Sequence, residues 1–187
     1  AARLSKKISK VICSTDSNEI AKIAKKFGAE VPFLRPKNIS LDSSRDIEFI
    51  LYTLKKIDPQ KKIDVVALIR PTSPLRPKNF IDNAIKKFQK HPKADSLRTI
   101  SDVDHSPFKM WKKKGNYLNA LLRLKNNTQP FNANRQFLPK VYAQTGHLDL
   151  IKTKTIFKYK DVSGKKILPY YLKRKYFVDI DDLESFE

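Results

Sequence analysis

The sequence predicts an α/β fold, an open and mostly parallel sheet with helices on both faces, and two observations carry that prediction. In the first hundred residues, short apolar runs alternate with segments whose apolar residues recur at helical spacing. One run, Val65-Val66-Ala67-Leu68-Ile69, is apolar at every position, as a central strand covered on both sides requires. Right-handed crossovers turn a β-α-β order into a parallel sheet. At 187 residues, the chain is long enough for one domain with a substantial core.

The elements follow in order. Lys10 to Cys13 reads as a strand, with Ser14, Thr15 and Asp16 as turn and cap residues. Ile20, Ile23, Ala24 and Phe27 recur at i, i+3, i+4 and i+7 and predict a helix that Gly28 ends. Glu30 to Phe33 is a second strand, in which Pro32 suits an edge. Ile47, Ile50, Leu51 and Leu54 line one face of a helix stopped by Asp58-Pro59. After the Val65–Ile69 strand come a helix with Ile81, Ala84, Ile85 and Phe88, and a strand from about Ala94 to Ile100. From Ser101 to Leu150, Trp111, the Lys112-Lys113-Lys114 run and an Asn-rich stretch from Asn126 to Asn134 break the rhythm. This region reads as an insertion within a single domain spanning 1–187, either a lid or a subunit contact. Strands are expected at Gly146 to Ile151, Ile167-Leu168 and Phe177-Val178, with a turn at Ser163-Gly164.

Composition bounds the function. Hydrophobic residues at 40% and charged residues at 31% indicate a globular chain. Cys13 stands alone, which excludes an internal disulfide framework, and His91, His105 and His147 lack the spacing of metal ligands. The longest apolar run falls far short of the ~20 residues of a membrane-spanning helix. No charged-then-apolar leader opens the chain, so a soluble protein of a reducing, cytoplasmic compartment is expected. The net charge of +20 raises nucleic acid, an anionic membrane or a phosphorylated small molecule as partner. Thirty of the 39 basic residues are lysine, whereas base edges and bidentate phosphate clamps favour arginine. The aromatics do not interleave with the basic residues as stacking platforms would, since Phe27, Phe49 and Phe88 fall in helical patterns. A basic nucleic-acid-binding protein is therefore an alternative reading, not the leading one.

Ligands of open α/β sheets bind beyond the carboxyl ends of the strands. Three clusters fall there: Ser14-Thr15-Asp16, the loop from Arg70 to Arg76, and Asp179-Ile180-Asp181-Asp182. In the second, two prolines stiffen a turn that carries Arg70, Thr72, Ser73 and Arg76, an anion-binding edge in which the hydroxyls could equally act as plain caps. The third holds the sharper signal. Five of the 19 acids, Asp179, Asp181, Asp182, Glu184 and Glu187, lie in the last nine residues. Asp179 and Asp181 are two apart, so on an extended segment both project to one face, where Mg²⁺ would relieve their repulsion. Asp182 and Glu184 suit a helix N-terminus instead.

Six pieces in order carry a family resemblance: Val11-Ile12-Cys13-Ser14-Thr15-Asp16, Phe33-Leu34-Arg35-Pro36, the Arg70–Arg76 loop, His105-Ser106-Pro107-Phe108-Lys109, Arg135-Gln136-Phe137-Leu138-Pro139, and Asp179-Ile180-Asp181. Together they resemble the acylneuraminate cytidylyltransferases, which couple CTP to nonulosonic and related 2-keto sugar acids in surface-glycan precursor synthesis. The resemblance implies a Rossmann-like nucleotidyltransferase with an inserted dimerisation region, forming a homodimer. It implies that Asp179 and Asp181 hold the Mg²⁺ that bridges the CTP phosphates. Arg35, Ser43, Ser44, Arg70, Thr72 and Ser73 would line the nucleotide site. Lys109, Arg135, Gln136 and Gln144 would meet the sugar acid, with Lys109 also supporting catalysis. The anomeric hydroxyl would attack the α-phosphorus and expel pyrophosphate, while metal and cationic groups stabilise the developing charge.

Three departures accompany the resemblance. Arg70 stands where the family often has a base-reading glutamine. Asp149 stands where sialic-acid-specific members carry tyrosine, which points to a sugar other than ordinary sialic acid. The chain opens at Ala1-Ala2-Arg3-Leu4 without the Ala-Arg-x-Gly-Ser-Lys phosphate loop, and its four glycines form no such loop. The expectation is a fragment of a longer enzyme, or a non-catalytic dimeric binding protein of the same fold, that does not turn over as it stands.

Overall fold

The computed structural model describes residues 1–186. Glu187 lies outside the described residues, as does the side chain of Glu184. Helix α1 (Asn18–Lys26) starts where Ser17 Oγ accepts the Ile20 N–H at 3.2 Å. Helix α2 (Asp46–Ile57) carries Asp46 and Glu48 in its first turn and ends at Asp58, whose carboxylate accepts the Lys62 and Ile63 N–H groups at 2.8 Å each. Strand β1 (Val65–Leu68), helix α3 (Phe80–Gln89) and strand β2 (Ser96–Asp102) follow. Strands β3 (Trp111–Lys114) and β4 (Tyr117–Ala120) form a separate hairpin turned at Gly115. Strand β5 (Tyr142–Lys152) runs directly into α4 (Thr153–Tyr159), and β6 (Ile167–Tyr171) and α5 (Leu183–Phe186) complete the chain. Among the described residues, no helix is long and apolar enough to cross a membrane.

The main sheet has the order β1-β5-β2-β6. Helices cover both faces as expected, but the sheet is mixed rather than mostly parallel: β5 runs against both neighbours, and only β2 and β6 are parallel. The reason lies in the path after β2. The chain leaves at the carboxyl end of β2, forms the hairpin and several short turns, and re-enters at the same end. A return from the same end gives an antiparallel strand, whereas a parallel one needs a crossover to the opposite end. The region expected as an insertion thus divides, with residues 103–141 outside the main sheet and β5 inside it.

Strand β1 is covered on both faces, as its all-apolar sequence predicts. Ala67 and Ile69 pack on the α3 side with Leu97, Leu148 and Leu150, while Val66 and Leu68 pack on the α2 and α4 side with Ile50, Ile151 and Ile156. Leu97, Leu148, Leu150, Ile151 and Ile156 are wholly withdrawn from solvent, each contributing about 1.5–3 kcal/mol of transfer free energy. Among the described residues, however, β1 pairs only with β5 and is an edge strand, not the central one expected. The segments expected as strands near Lys10–Cys13 and Glu30–Phe33 reduce to one parallel bridge, Ile12 with Glu30. Phe177-Val178 is irregular rather than a strand, because β6 already occupies the place beside β2.

The turn before β6 is held from beneath by Asp95, whose carboxylate accepts the Lys165 and Lys166 N–H groups at 2.9 Å each. Gly164 lies against it at φ +69°, where an added Cβ would meet Asp95 Cβ at 2.5 Å and Thr155 Cγ2 at 2.8 Å. Gly115 has a similar φ of +58° but nothing within 4 Å. Gly164→Ala is expected to cost about 2–5 kcal/mol, combining backbone strain with overpacking. Gly115→Ala should cost about 1–2 kcal/mol from the left-handed conformation alone, so thermal denaturation of the pair separates the two effects.

Asp95 also predicts a pH dependence. The backbone N–H of Lys166 holds its pKa below the ordinary carboxylate range against the opposing effect of burial, with the Lys165 N–H and the charges of Lys152 and Lys166 adding to the depression. A depressed folded-state pKa means that the stabilisation is fully present above the unfolded-state value and disappears as pH falls through the folded one. Wild type should therefore lose more stability than Asp95→Asn on acidification below about pH 4, in urea melts at a series of pH values.

Candidate functional site

Strand β5 is bent in its first half. Arg98 of β2 faces Asp149, yet Ile100 faces Gln144, so residues 145–148 bulge opposite Thr99 alone. Thr99 repairs the broken ladder, its hydroxyl donating to the Leu148 carbonyl at 2.6 Å and accepting the Leu148 N–H at 2.9 Å. Gly146 sits in the bulge at φ +71°, and an added Cβ there would meet Ser73 Oγ at 3.2 Å and Arg70 Cδ at 3.6 Å. The Arg70–Arg76 loop after β1 thus lies directly on the bulge.

The bulge fastens two other segments. The buried Ser73 hydroxyl is 3.1 Å from the Thr145 carbonyl and 3.3 Å from Asp179 Oδ1, and the Ile180 N–H donates to the Thr72 carbonyl at 2.8 Å. Arg76 Nε donates to the His147 carbonyl at 3.0 Å, and its Nη2 donates to the Arg70 carbonyl at 2.8 Å. Burial pulls the Arg76 guanidinium below its ordinary pKa. The buried His147 ring lies between two carbonyls, Nδ1 at 2.9 Å from Thr145 and Nε2 at 2.8 Å from Tyr176. The 70–76 loop, the bulge and the 176–181 segment therefore form one crevice at the carboxyl ends of β1, β2 and β6, where open α/β sheets take ligands.

A chain of charges underlies the crevice. Asp149 is fully buried, and its Oδ2 accepts both Arg70 Nη1 and Arg98 Nη1 at 2.9 Å. Arg70 Nη2 donates to Asp46 at the start of α2, and Arg98 Nη2 donates to Ser163 Oγ at 2.9 Å. Burial opposes the charge on Arg70, but hydrogen bonds and charge from Asp149 and Asp46 outweigh it and hold its pKa above the ordinary value. Asp149 Oδ1 is buried without a protein partner.

The expected nucleotide residues fall in two places. Ser73 is wholly buried where the 70–76 loop meets β5 and Asp179, Thr72 is partly exposed beside it, and Arg70 lies against Gly146. Arg35, Ser43 and Ser44 lie on the approach to α2, where Arg35 Nε donates to Ser40 Oγ at 2.9 Å and its guanidinium lies 5.2 Å from the Phe49 ring centre. Ser44 Oγ accepts the Leu41 N–H at 3.0 Å, and Ser43 is exposed. Asp46 joins this group to the crevice through Arg70.

The expected sugar-acid residues lie beyond β2. Arg135 and Gln136 line a pocket of about 340 Å³ with Asp102, Lys140 and Val141, and Arg135 Nη2 donates to the Val103 carbonyl at 2.6 Å. Lys109 is exposed on a 3-10 turn capped by Ser106, and Gln144 is exposed on β5. Neither lines that pocket. Asp179 and Asp181 are exposed, on either side of the tethered Ile180. Among the described residues, no three His, Cys, Asp or Glu side chains gather as a metal site. A pair of carboxylates completed by ligand phosphates is nonetheless a donor set that suits Mg²⁺.

Sequence reasoning did not assign site roles to Asp46, Arg98 and His147. A charge at Asp149, within the apolar run Leu148 to Ile151, was the available signal for a buried partner.

Comparisons with known proteins bear on the family and the fold. An N-acylneuraminate cytidylyltransferase of Escherichia coli is 27% identical over 208 residues, covering the whole of this chain and 42% of that protein. A pseudaminic acid cytidylyltransferase of Campylobacter jejuni is 34% identical over 79 residues, covering 42% of this chain and 34% of that protein. The chain thus spans less than half the length of the Escherichia coli relative, and its match to the Campylobacter relative covers 34% of that protein. The solved structure of a CMP:2-keto-3-deoxy-manno-octonic acid synthetase complexed with CTP superimposes with a TM-score of 0.61 at 9% identity, covering 92% of this chain and 76% of that one. This likeness supports the Rossmann-like nucleotidyltransferase fold. Residues 1–176 match the family described as cytidylyltransferase, and the chain belongs to that family.

Proposed function

We propose that the protein transfers CMP from CTP to a nonulosonic or related 2-keto sugar acid, releasing pyrophosphate. The observation that carries this reading is the joining of the 70–76 loop to Asp179 through Ser73, in a crevice at the carboxyl ends of the strands. The 70–76 loop offers ligand phosphates the Thr72 hydroxyl on a turn stiffened by Pro71 and Pro74. Ser73 fixes one oxygen of Asp179 and so orients the other. Asp179 and Asp181 would hold Mg²⁺, which supplies positive charge against the triphosphate when bound. Arg135, Gln136, Lys109 and Gln144 would take the anionic end of the sugar acid.

The hairpin supports a homodimer. Tyr117 and Leu118 are 78% and 62% exposed, an apolar surface on an arm outside the main sheet. We place the protein in the cytoplasm, where CTP is available.

Isothermal titration with CTP checks the nucleotide site. Binding should require Mg²⁺ and should fall at least ~10-fold, about 1.4 kcal/mol, in Asp179→Asn/Asp181→Asn. A folded wild-type chain that binds no CTP would count against the enzyme reading and favour a non-catalytic protein of the same fold. A binding signal for single-stranded nucleic acid with a steep salt dependence would favour the nucleic-acid reading.

A further inference from the structure

We propose that Asp149 is a positioning residue that acts through Arg70, holding its guanidinium so that its unengaged N–H groups meet oxygen acceptors of a nucleotide in the crevice. This rests on the proposed CTP site and adds to it a residue that does not itself reach the ligand.

Arg70 has five N–H donors, of which one goes to Asp149 and one to Asp46. Nε and the second hydrogens of Nη1 and Nη2 have no protein acceptor among the described residues. The side chain remains 28% exposed. Its Cδ flanks Gly146 beside Ser73 Oγ, which bonds Asp179, so the exposed edge lies on the crevice. Carboxylates at both terminal nitrogens fix the guanidinium plane, and a fixed planar fork loses little freedom when it binds.

The cost of the arrangement also points to use. Two arginines converge on one oxygen of a fully buried carboxylate, and the other oxygen is left without a partner. Burying such a group costs free energy that apolar residues of similar size would not incur. Asp46 on one side and Arg98 with Ser163 on the other brace the pair from α2 and from β2. The four charges sum to zero, so Arg70 offers directed donors to an anionic ligand rather than an uncompensated charge.

The test combines a spectroscopic and a binding readout on the full chain. The Arg70 Nη resonances, identified by their loss in Arg70→Gln, should be resolved in wild type, where carboxylates at both terminal nitrogens restrain rotation of the guanidinium, and averaged in Asp149→Asn. CTP with Mg²⁺ should bind Asp149→Asn at least ~10-fold more weakly than wild type. The same substitution in the Arg70→Gln background should change affinity less than ~2-fold, because the residue it acts through is gone. If Asp149→Asn fails to fold, Asp46→Asn, which releases the other end of Arg70 from a half-exposed position, should weaken CTP ~3-fold and lose that effect in Arg70→Gln. Equal CTP affinity in folded Asp149→Asn and wild type overturns the proposal, as does an undiminished loss in the Arg70→Gln background. A wild type with resolved Arg70 Nη resonances but no CTP binding overturns the nucleotide-site reading itself, a result separable from a freely rotating Arg70 guanidinium in a chain that does bind CTP.

Discussion

The bend of β5 between Gln144 and Asp149 is the constraint from which the site is built. Gly146 takes a left-handed conformation there, and four residues stand opposite Thr99 alone. The distortion exposes carbonyls that a regular ladder would consume. Those of Thr145 and His147 accept Ser73 and Arg76, while the His147 ring reaches Tyr176. A straight β5 would pair cleanly with β2 and leave the 70–76 loop and the 176–181 segment without a common anchor. The Thr99 hydroxyl satisfies both backbone groups of Leu148, so the bend leaves neither unpaired at a fully buried residue.

Electrostatics act on two scales. At long range, a charge of +20 draws anions toward the molecule and is screened within about 10 Å at ordinary ionic strength. Inside the fold, Asp46, Arg70, Asp149 and Arg98 alternate in sign, so the excess charge stops at the surface. This separation explains why a strongly basic chain need not be a nucleic-acid binder. The lysines raise the local concentration of any anion, whereas the donors and carboxylates inside the fold are paired with one another.

The path of the chain sets where the two halves of the site lie. Because residues 103–141 leave and return at the carboxyl end of β2, Arg135 and Gln136 come to rest beside Asp102 at that end. The same excursion produces the exposed hairpin and forces β5 to run antiparallel. One topological event thus accounts for the mixed sheet, the projecting arm and the second pocket.

The local elements were legible in the sequence wherever one face or both faces are apolar. The period of Ile47, Ile50 and Leu54, the capping Ser17 and the two-sided burial of Val65 to Ile69 follow from short-range chemistry. So does the placing of Arg70–Arg76 after a strand, because turn and cap residues mark strand ends, whereas Asp179, expected after a strand at Phe177-Val178, follows an irregular segment. Strand direction and order were not legible. They depend on where a forty-residue excursion re-enters, and no local pattern encodes that. The buried partnership of Arg70, Asp149 and Arg98 was likewise out of reach, since it joins residues 28 to 79 positions apart whose charges look, one at a time, like ordinary surface residues. The sequence by itself determined helices α1, α2 and α3, though not α4, and the strand that packs on both sides. Only the tertiary structure decided which reactive groups meet, because the bend at Gly146 and the return of β5 are properties of the whole sheet.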